Sequence, residues 1–379
     1  MTEKLYYQDA YIKDFEARVI SVFEEKDGFR VVLDRTAFFP EAGGQTSDRG
    51  RIGDAEVFDV REEGDDIVHY TRTAPVGDTV ECSLDFEERL DKMRCHTAEH
   101  IISGIFHKHF GIENTGFHLG HEDVTFDTSK PVTSEMLLFA ERLANEAVMR
   151  NMPITTVFPD VSELGTLEYR SKLDLTENVR LVYIGDVDVC ACCAPHVAYT
   201  GEIGIIKFVD AVTHKGGSRI RMLAGMRAYD YVAALFGECS RISVALSAPK
   251  TSVADEVDRM LEGRSALEYK LAGMGKAVAK AYADGVERTD GNLLILLPEL
   301  DMDALRTFVN LARERVGGTI VALTGTDGAY KYIIHKDSPD LSSAVKNANA
   351  ALGGKGGGRP PMAQGSFSAS LDEIKKYFL

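Results

Sequence analysis

A chain of 379 residues, 44% hydrophobic and 27% charged with no tryptophan, has the composition of a globular protein too long for one ordinary core. No run approaches the ~18 apolar residues that span a bilayer, and MTEKLYYQDAY lacks the basic-then-apolar pattern of a secretion signal; a membrane protein is excluded and a cytoplasmic setting expected. The net charge of −16 argues against a protein that coats nucleic acid, yet residues 286–379 are balanced, so the acid excess lies in residues 1–285 and a selective RNA contact remains open near the C-terminal end.

Over residues 1–85 short apolar runs alternate with turns, as in ARVISVFEEKDGFRVVLDRTAFF with its Asp27-Gly28 hairpin signal, which predicts a small N-terminal β-barrel or sandwich. At Asp85 the period changes. DFEERLDKMRCHTAEHIISGIFHKHF places Leu90, Met93, Ile101 and Ile105 at helical spacing, and SEMLLFAERLANEAVMR follows with Thr133 or Ser134 as its N-cap. Strand-like runs RLVYIG and IGIIKFV flank a cysteine cluster, so residues 86–235 are expected to form an α+β domain. From Val253 to Ala281 apolar residues recur in alternating four- and three-residue steps broken only at Arg264. This heptad stripe predicts a long helical arm over 236–285, either packed along one face or wound as a coiled coil. Residues 286–379 alternate NLLILLPEL, a helix from Asp301 to Arg315, TIVALTG, YKYIIHK and a helix near Leu341 to Leu352, a pattern for a small α/β domain. The fold class is therefore α+β multidomain.

His96 and His100 stand four apart in CHTAEHIIS, so on a helix both imidazoles leave one face about a turn apart. Glu99 lies between them, but HTAEH is not HEXXH, and the general base of a metalloprotease is out of place. Ninety residues on by the numbering, DVCACCAPHVAYTGE carries three of the six cysteines in four positions beside a histidine. Cys192 and His196 form a CxxxH turn; with the two helical histidines they make a Cys-His₃ set that suits tetrahedral zinc. Cys190 and Cys193 have CxxC spacing, which leaves open burial as small apolar residues, oxidation, or competition for metal. His107, His109, His118, His121 and His214 read as surface or internally satisfied histidines. Four protein ligands would close a structural site, whereas catalysis needs an exchangeable position, and spacing does not choose.

Taken together, DRTAFFPEAGGQTSDRG (34–50), HTAEH (96–100), CCAPHVAYTGEIG (192–204) and GGKGGGRPPMAQGSF (353–367) resemble, in that order, the editing and C-terminal domains of alanyl-tRNA synthetase. No aminoacylation domain precedes them, so the resemblance is to the free-standing alanyl-tRNA editing proteins (AlaX type, long form), which keep the C-terminal domain shared with DHH-type phosphoesterases. It implies a deacylase with one zinc ion per chain that hydrolyses Ser-tRNA(Ala), and often Gly-tRNA(Ala), while sparing Ala-tRNA(Ala). It further implies His96, His100, Cys192 and His196 as zinc ligands, and Thr36, Gly43, Gly44 and Gln45 as a loop against the editing pocket. Thr36 and Gln45 are the candidates for reading the serine hydroxyl. In the C-terminal domain, Lys346, Lys355 and Arg359 are implied as phosphate contacts, and a homodimer through that domain or the arm is expected. Two departures stand out: Ala42-Gly43-Gly44-Gln45 replaces the family's GGGQ, and Cys192-Cys193-Ala194-Pro195-His196 replaces CGGTH, stiffening the turn and adding a thiol.

Other readings have less support. A DHH-type phosphoesterase needs Asp-rich metal motifs that are absent, Gly353–Gly358 lacks the Lys-Ser/Thr of a P-loop, and Gly-Gly-Gln in a release factor leaves the metal half-motifs unused. A non-catalytic tRNA-binding protein with structural zinc remains the main rival.

Overall fold

Strands Asp14–Glu25 and Gly28–Leu33 turn at Lys26-Asp27, one residue earlier than the Asp27-Gly28 pair suggested. Gly28 instead opens the second strand, because a Cβ there would stand 2.2 Å from the Thr71 carbonyl of a neighbouring strand. This computed structural model describes residues 1–120, 124–171, 179–298 and 300–379; His121 lies outside them. Its contacts divide the chain into two units, Met1–Glu238 and Cys239–Leu379.

In the first unit the two strands above continue through Asp66–Thr71, Ala55–Glu63, Gly50–Ile52 and Thr79–Leu84, the last pairing back to Asp14–Glu25, so the ring of hydrogen bonds closes into a barrel. Alternate inward residues, among them Val31, Leu33, Ile52, Val60 and Ile67, fill it and are fully buried.

Helix α1, Phe86–Phe110, starts where the Asp85 carboxylate accepts from Glu88 N–H and ends at Gly111, whose positive φ of 59° allows the chain to leave. It is buried nearly all round over Met93–Phe106, the core of the unit rather than an amphipathic rim. Helix α2, Ser134–Met149, is capped by the Thr133 hydroxyl, and Ser134 is its first residue. Two antiparallel sheets flank these helices among the described residues. One runs Ile206–His214, Gly217–Ala224, Val124–Thr128, Asn114–Leu119; the other runs Ile154–Val157, Leu181–Ile184, Asp188–Ala191. The second sheet lies hard against α1, for a Cβ on Gly104 would meet Asp188 Cβ at 2.8 Å.

The barrel is pinned to α1 by a buried charge pair. Arg89, wholly inaccessible, donates to both carboxylate oxygens of Asp48 and to the carbonyls of Ala37 and Ala10, while Asp48 also accepts from Phe39 N–H at 2.6 Å. With its hydrogen bonds satisfied, the pair fixes both ends of loop 37–48, which carries Gly43, Gly44 and Gln45.

In the second unit the helix Val253–Asp284 buries only Ala279 and Ala283, which join the core of helix Met302–Ala312; a Cβ on Gly275 would come 3.3 Å from Ala304. The heptad positions Met260, Leu267, Leu271 and Met274 are each more than half exposed. The sheet beside it runs Leu293–Leu296, Ile320–Thr324, Tyr330–His335, Met362–Phe367, Lys355–Arg359, with only the first pair parallel. The glycine-rich run is thus an edge strand and not the flexible loop its composition suggests. A Cβ on Gly356 or Gly358 would meet the Gln364 or Met362 carbonyl at 2.4 Å, so only glycine lets this strand pair so closely.

Candidate metal centre and its cavity

The two half-motifs converge. One donor atom each from His96, His100, Cys192 and His196 lies within 4.8 Å of the others. Helix α1 supplies two imidazoles from one face, and the turn after strand Asp188–Ala191 supplies the thiol and the third ring. In a tetrahedron with Zn–S of ~2.3 Å and Zn–N of ~2.05 Å, sulfur and nitrogen ligands stand about 3.6 Å apart. Cys192 Sγ lies 3.6 Å from His96 Nε2 and 3.5 Å from His196 Nε2, so these edges fit zinc.

Each ring is oriented through its other nitrogen. His96 Nδ1 bonds Gln45 Oε1 and His196 Nδ1 bonds the Thr97 hydroxyl, both at 3.0 Å; His100 Nδ1 faces Asp188 Oδ2 at 3.5 Å, a charge contact rather than a tight hydrogen bond. Asp188 is itself gripped by Arg170 through two bonds of 2.7 Å. Such outer partners fix the tautomer and leave the metal-facing nitrogen free. Burial works against a thiolate at Cys192, but the charges of His96 and His100 and hydrogen bonds from His100 and His196 hold its thiol well below its ordinary value. Burial pulls His196 down to about 3, the neutral state that ligates. On His100 burial opposes the proton, yet Cys190, Cys192 and Asp188 together raise its pKa well above normal. The surroundings thus favour a thiolate at Cys192, whose charge a bound cation would meet.

Beside the cage opens a cavity of about 580 Å³ lined by Gly43, Gly44, His96, Glu99, His100, Asn114, Phe117, Arg180, Cys192, Cys193 and Tyr7, among others. Gly43 and Gly44 take positive φ of 62° and 83°, and a Cβ on Gly44 would strike the Phe117 carbonyl at 2.4 Å. The loop thus lies against the strand Asn114–Leu119, held by the Leu119 N–H to Gly44 carbonyl bond of 2.8 Å. Ala42, where the family's first glycine would stand, has no positive φ.

Among the sequence candidates, Gln45 is fully buried behind the lining, its oxygen engaged by His96 and its amide nitrogen without a partner among the described residues. The structure does not bring Thr36 to the cavity lining. Its hydroxyl bonds His69 Nε2 at 2.8 Å and accepts from Phe38 N–H, while His69 Nδ1 donates to the Val31 carbonyl, so both capacities of the hydroxyl are used inside the barrel. Cys193 lines the cavity, with burial, chiefly, pushing its thiol up to about 11; Cys190 is buried beside His100 and Asp188. Lys346, Lys355 and Arg359 are exposed in the second unit, the first on helix Leu341–Ala351 and the others at the two ends of the edge strand.

Sequence reasoning missed Asp188, Arg170 and Arg180. Their signal was faint: charged residues inside or beside apolar strand runs, meaningful only once strand pairing turns them inward. It also missed a buried network in which Glu99 accepts from the Ser103 hydroxyl and the Asn114 amide.

Comparison with known proteins places two family descriptions on the chain. Residues 179–223 match the threonyl and alanyl tRNA synthetase second additional domain, and residues 290–378 match the DHHA1 domain. The alanyl-tRNA editing protein AlaX-L of Pyrococcus horikoshii is 28% identical over 99% of this chain and 96% of its own length. Alanine–tRNA ligases of Halorubrum lacusprofundi and Methanococcus vannielii are 33% and 28% identical over 96% and 99% of this chain, which spans only 42% and 43% of their lengths.

Proposed function

We propose, for a chain that resembles the long, free-standing alanyl-tRNA editing proteins from end to end, that it is an aminoacyl-tRNA deacylase which removes serine, and in part glycine, from mischarged tRNA(Ala) in a zinc-dependent reaction. The observation that carries the reading is the meeting of His96, His100, Cys192 and His196, from segments about ninety residues apart, at the wall of a cavity fit for a small substrate.

Zinc held by these four residues would supply positive charge beside the ester, and a Lewis acid where it takes a fifth ligand or releases one of the four. The rest falls to the chain. An aminoacyl ester is already activated, so the site needs to position the ester and a water, stabilise the developing negative charge, and discriminate the side chain. Water adds its oxygen to the carbonyl carbon, and the ribose hydroxyl leaves with a proton. Gln45 holds the His96 ring, Asp188 with Arg170 holds His100, and Thr97 holds His196, so the cage keeps one geometry while substrate enters. Neither candidate for the serine hydroxyl is itself on the cavity lining, and of the two Gln45 is preferred: it adjoins Gly44, which is on the lining, and its amide nitrogen has no partner among the described residues, whereas the Thr36 hydroxyl is committed. A site with such a donor favours serine over alanine because alanine leaves the donor unpaired.

Lys346, Lys355 and Arg359, exposed and in no ion pair among the described residues, are read as phosphate contacts for the tRNA body. The exposed heptad stripe is read as a homodimer surface. Deacylation assays with Ser-, Gly- and Ala-tRNA(Ala) test the substrate assignment: rapid loss of serine with alanine largely retained is expected. Hydrolysis of none of the three, with tRNA still bound, would favour the rival reading of a tRNA-binding protein with structural zinc.

A further inference from the structure

Arg180 is a buried cation of the cavity. It is only 6% exposed, lines the cavity, and among the described residues pairs with no carboxylate. One nitrogen of its fork donates to the carbonyls of Cys192 and Ala194, both at 2.9 Å, which anchors the guanidinium beside the backbone of the cage. Its Nε is buried and has no hydrogen-bond partner among the described residues. Arg170, the other arginine of the lining, is by contrast spent on Asp188. A guanidinium kept this dry with a donor unused costs stability unless an anion arrives to take it.

The substrate class decides which anion. An aminoacyl ester has no free carboxylate, and its amino group is cationic and would be repelled. The nearest permanent negative charge is the phosphodiester on the 5′ side of the terminal nucleoside, one ribose away from the ester. Beside Arg180 stands an aromatic surface suited to the base of that nucleoside. The guanidinium lies over the Tyr7 ring at 5.5 Å, and Tyr7 meets Phe158, 53% exposed, edge-on with centroids 5.5 Å apart. Aromatic rings that hold a splayed nucleobase beside an arginine that holds phosphate are a recurring solution for single-stranded RNA ends.

We propose that Arg180, with Tyr7 beside it, seats the 5′-phosphate of the aminoacylated terminal nucleotide, so that the cavity recognises a phosphorylated nucleoside ester over a bare one. The assignment rests on reading the cavity as a site for the aminoacylated 3′ end of an RNA. It makes Arg180 a binding residue that also ties substrate position to the Cys192 turn, because the same guanidinium touches both.

The test titrates full-length protein with AMP and with adenosine by calorimetry. Wild type should bind AMP roughly ten- to a hundredfold more tightly, the range expected of charge-assisted hydrogen bonds. Arg180→Met should bring the ratio towards one, and Arg180→Lys, which keeps the charge but loses the fork, should fall between. A parallel assay compares hydrolysis of 3′-O-seryl-adenosine with that of its 5′-phosphate; wild type should prefer the phosphate and Arg180→Met should lose that preference. Equal affinity for AMP and adenosine in wild type, which needs no variant to fold, would overturn the assignment, as would an unchanged ratio in Arg180→Met. Removal of serine from tRNA without any AMP preference would overturn the phosphate seat alone. An AMP preference lost in Arg180→Met, together with failure to hydrolyse Ser-tRNA(Ala), would uphold the seat and overturn the editing reading.

Discussion

Three cysteines in four positions differ in what their side chains face, and that difference carries the site. Cys192 meets His96 and His196, while Cys193 turns towards Gly43 and Cys190 towards His100 and Asp188. Cys192→Ser should therefore lose most of the bound metal and Cys193→Ser should keep it, measured as zinc per chain in purified protein; the reverse would move the ligand register by one residue. A second expectation belongs to the barrel. Burial, against a weaker opposing bond to the Val31 carbonyl, lowers His69 from 6.5 to about 4. The folded ring stays neutral where the unfolded one takes a proton, so its contribution is whole above pH 6.5 and is lost as pH falls towards 4. As pH rises from 4 to 6.5, His69 should add on the order of 3 kcal/mol to the unfolding free energy, the share of the slope that His69→Gln should remove in pH-dependent denaturant titrations. Spacing, joined to the family resemblance, made His96, His100, Cys192 and His196 legible, since four-residue steps bring side chains to one side of a helix or turn. Nothing comparable marks Asp188 or Arg180: their strands form a local hairpin, and their roles arise only where that hairpin meets α1 and the cavity; Thr36 could be placed only once His69 was seen across the barrel.

At the scale of elements, the loop over the cavity is held at its two ends by Arg89 and Asp48, fully buried. Arg89→Met leaves the Asp48 carboxylate uncompensated and should cost ~3–5 kcal/mol in chemical denaturation, with Asp48→Asn in the same chain recovering part of the loss. A loss under ~1 kcal/mol would mean the pair does not pin the barrel to α1. Helices were the most readable elements: α1 begins at the Asp85 cap and α2 at the Thr133 cap, both visible as polar residues before an apolar period. Glycines were the least readable. Gly28, Gly356 and Gly358 look like turn or linker residues, but close approach of neighbouring strands, which no local pattern encodes, is what demands them. The heptad stripe was legible as a helix over Val253–Asp284, and its exposed apolar face gives no local sign of what covers it.

For the whole chain, the change from barrel to helix at Asp85 and the α/β alternation after residue 286 were readable from periodicity, whereas the strand orders of the sheets were not, because pairing between Val124–Thr128 and Gly217–Ala224 spans about ninety residues. If the second unit supplies tRNA contacts, replacing Lys346, Lys355 and Arg359 together by alanine should raise the KM for Ser-tRNA(Ala) more than it lowers kcat and should flatten the salt dependence of binding. Unchanged affinity and salt slope would remove the RNA role from these residues. The most direct measurement of the whole is Ser-tRNA(Ala) hydrolysis by the full chain before metal removal, after it, and after one equivalent of zinc is restored. Serine release should collapse without metal and return with zinc, and undiminished release from metal-free protein would contradict zinc-dependent editing.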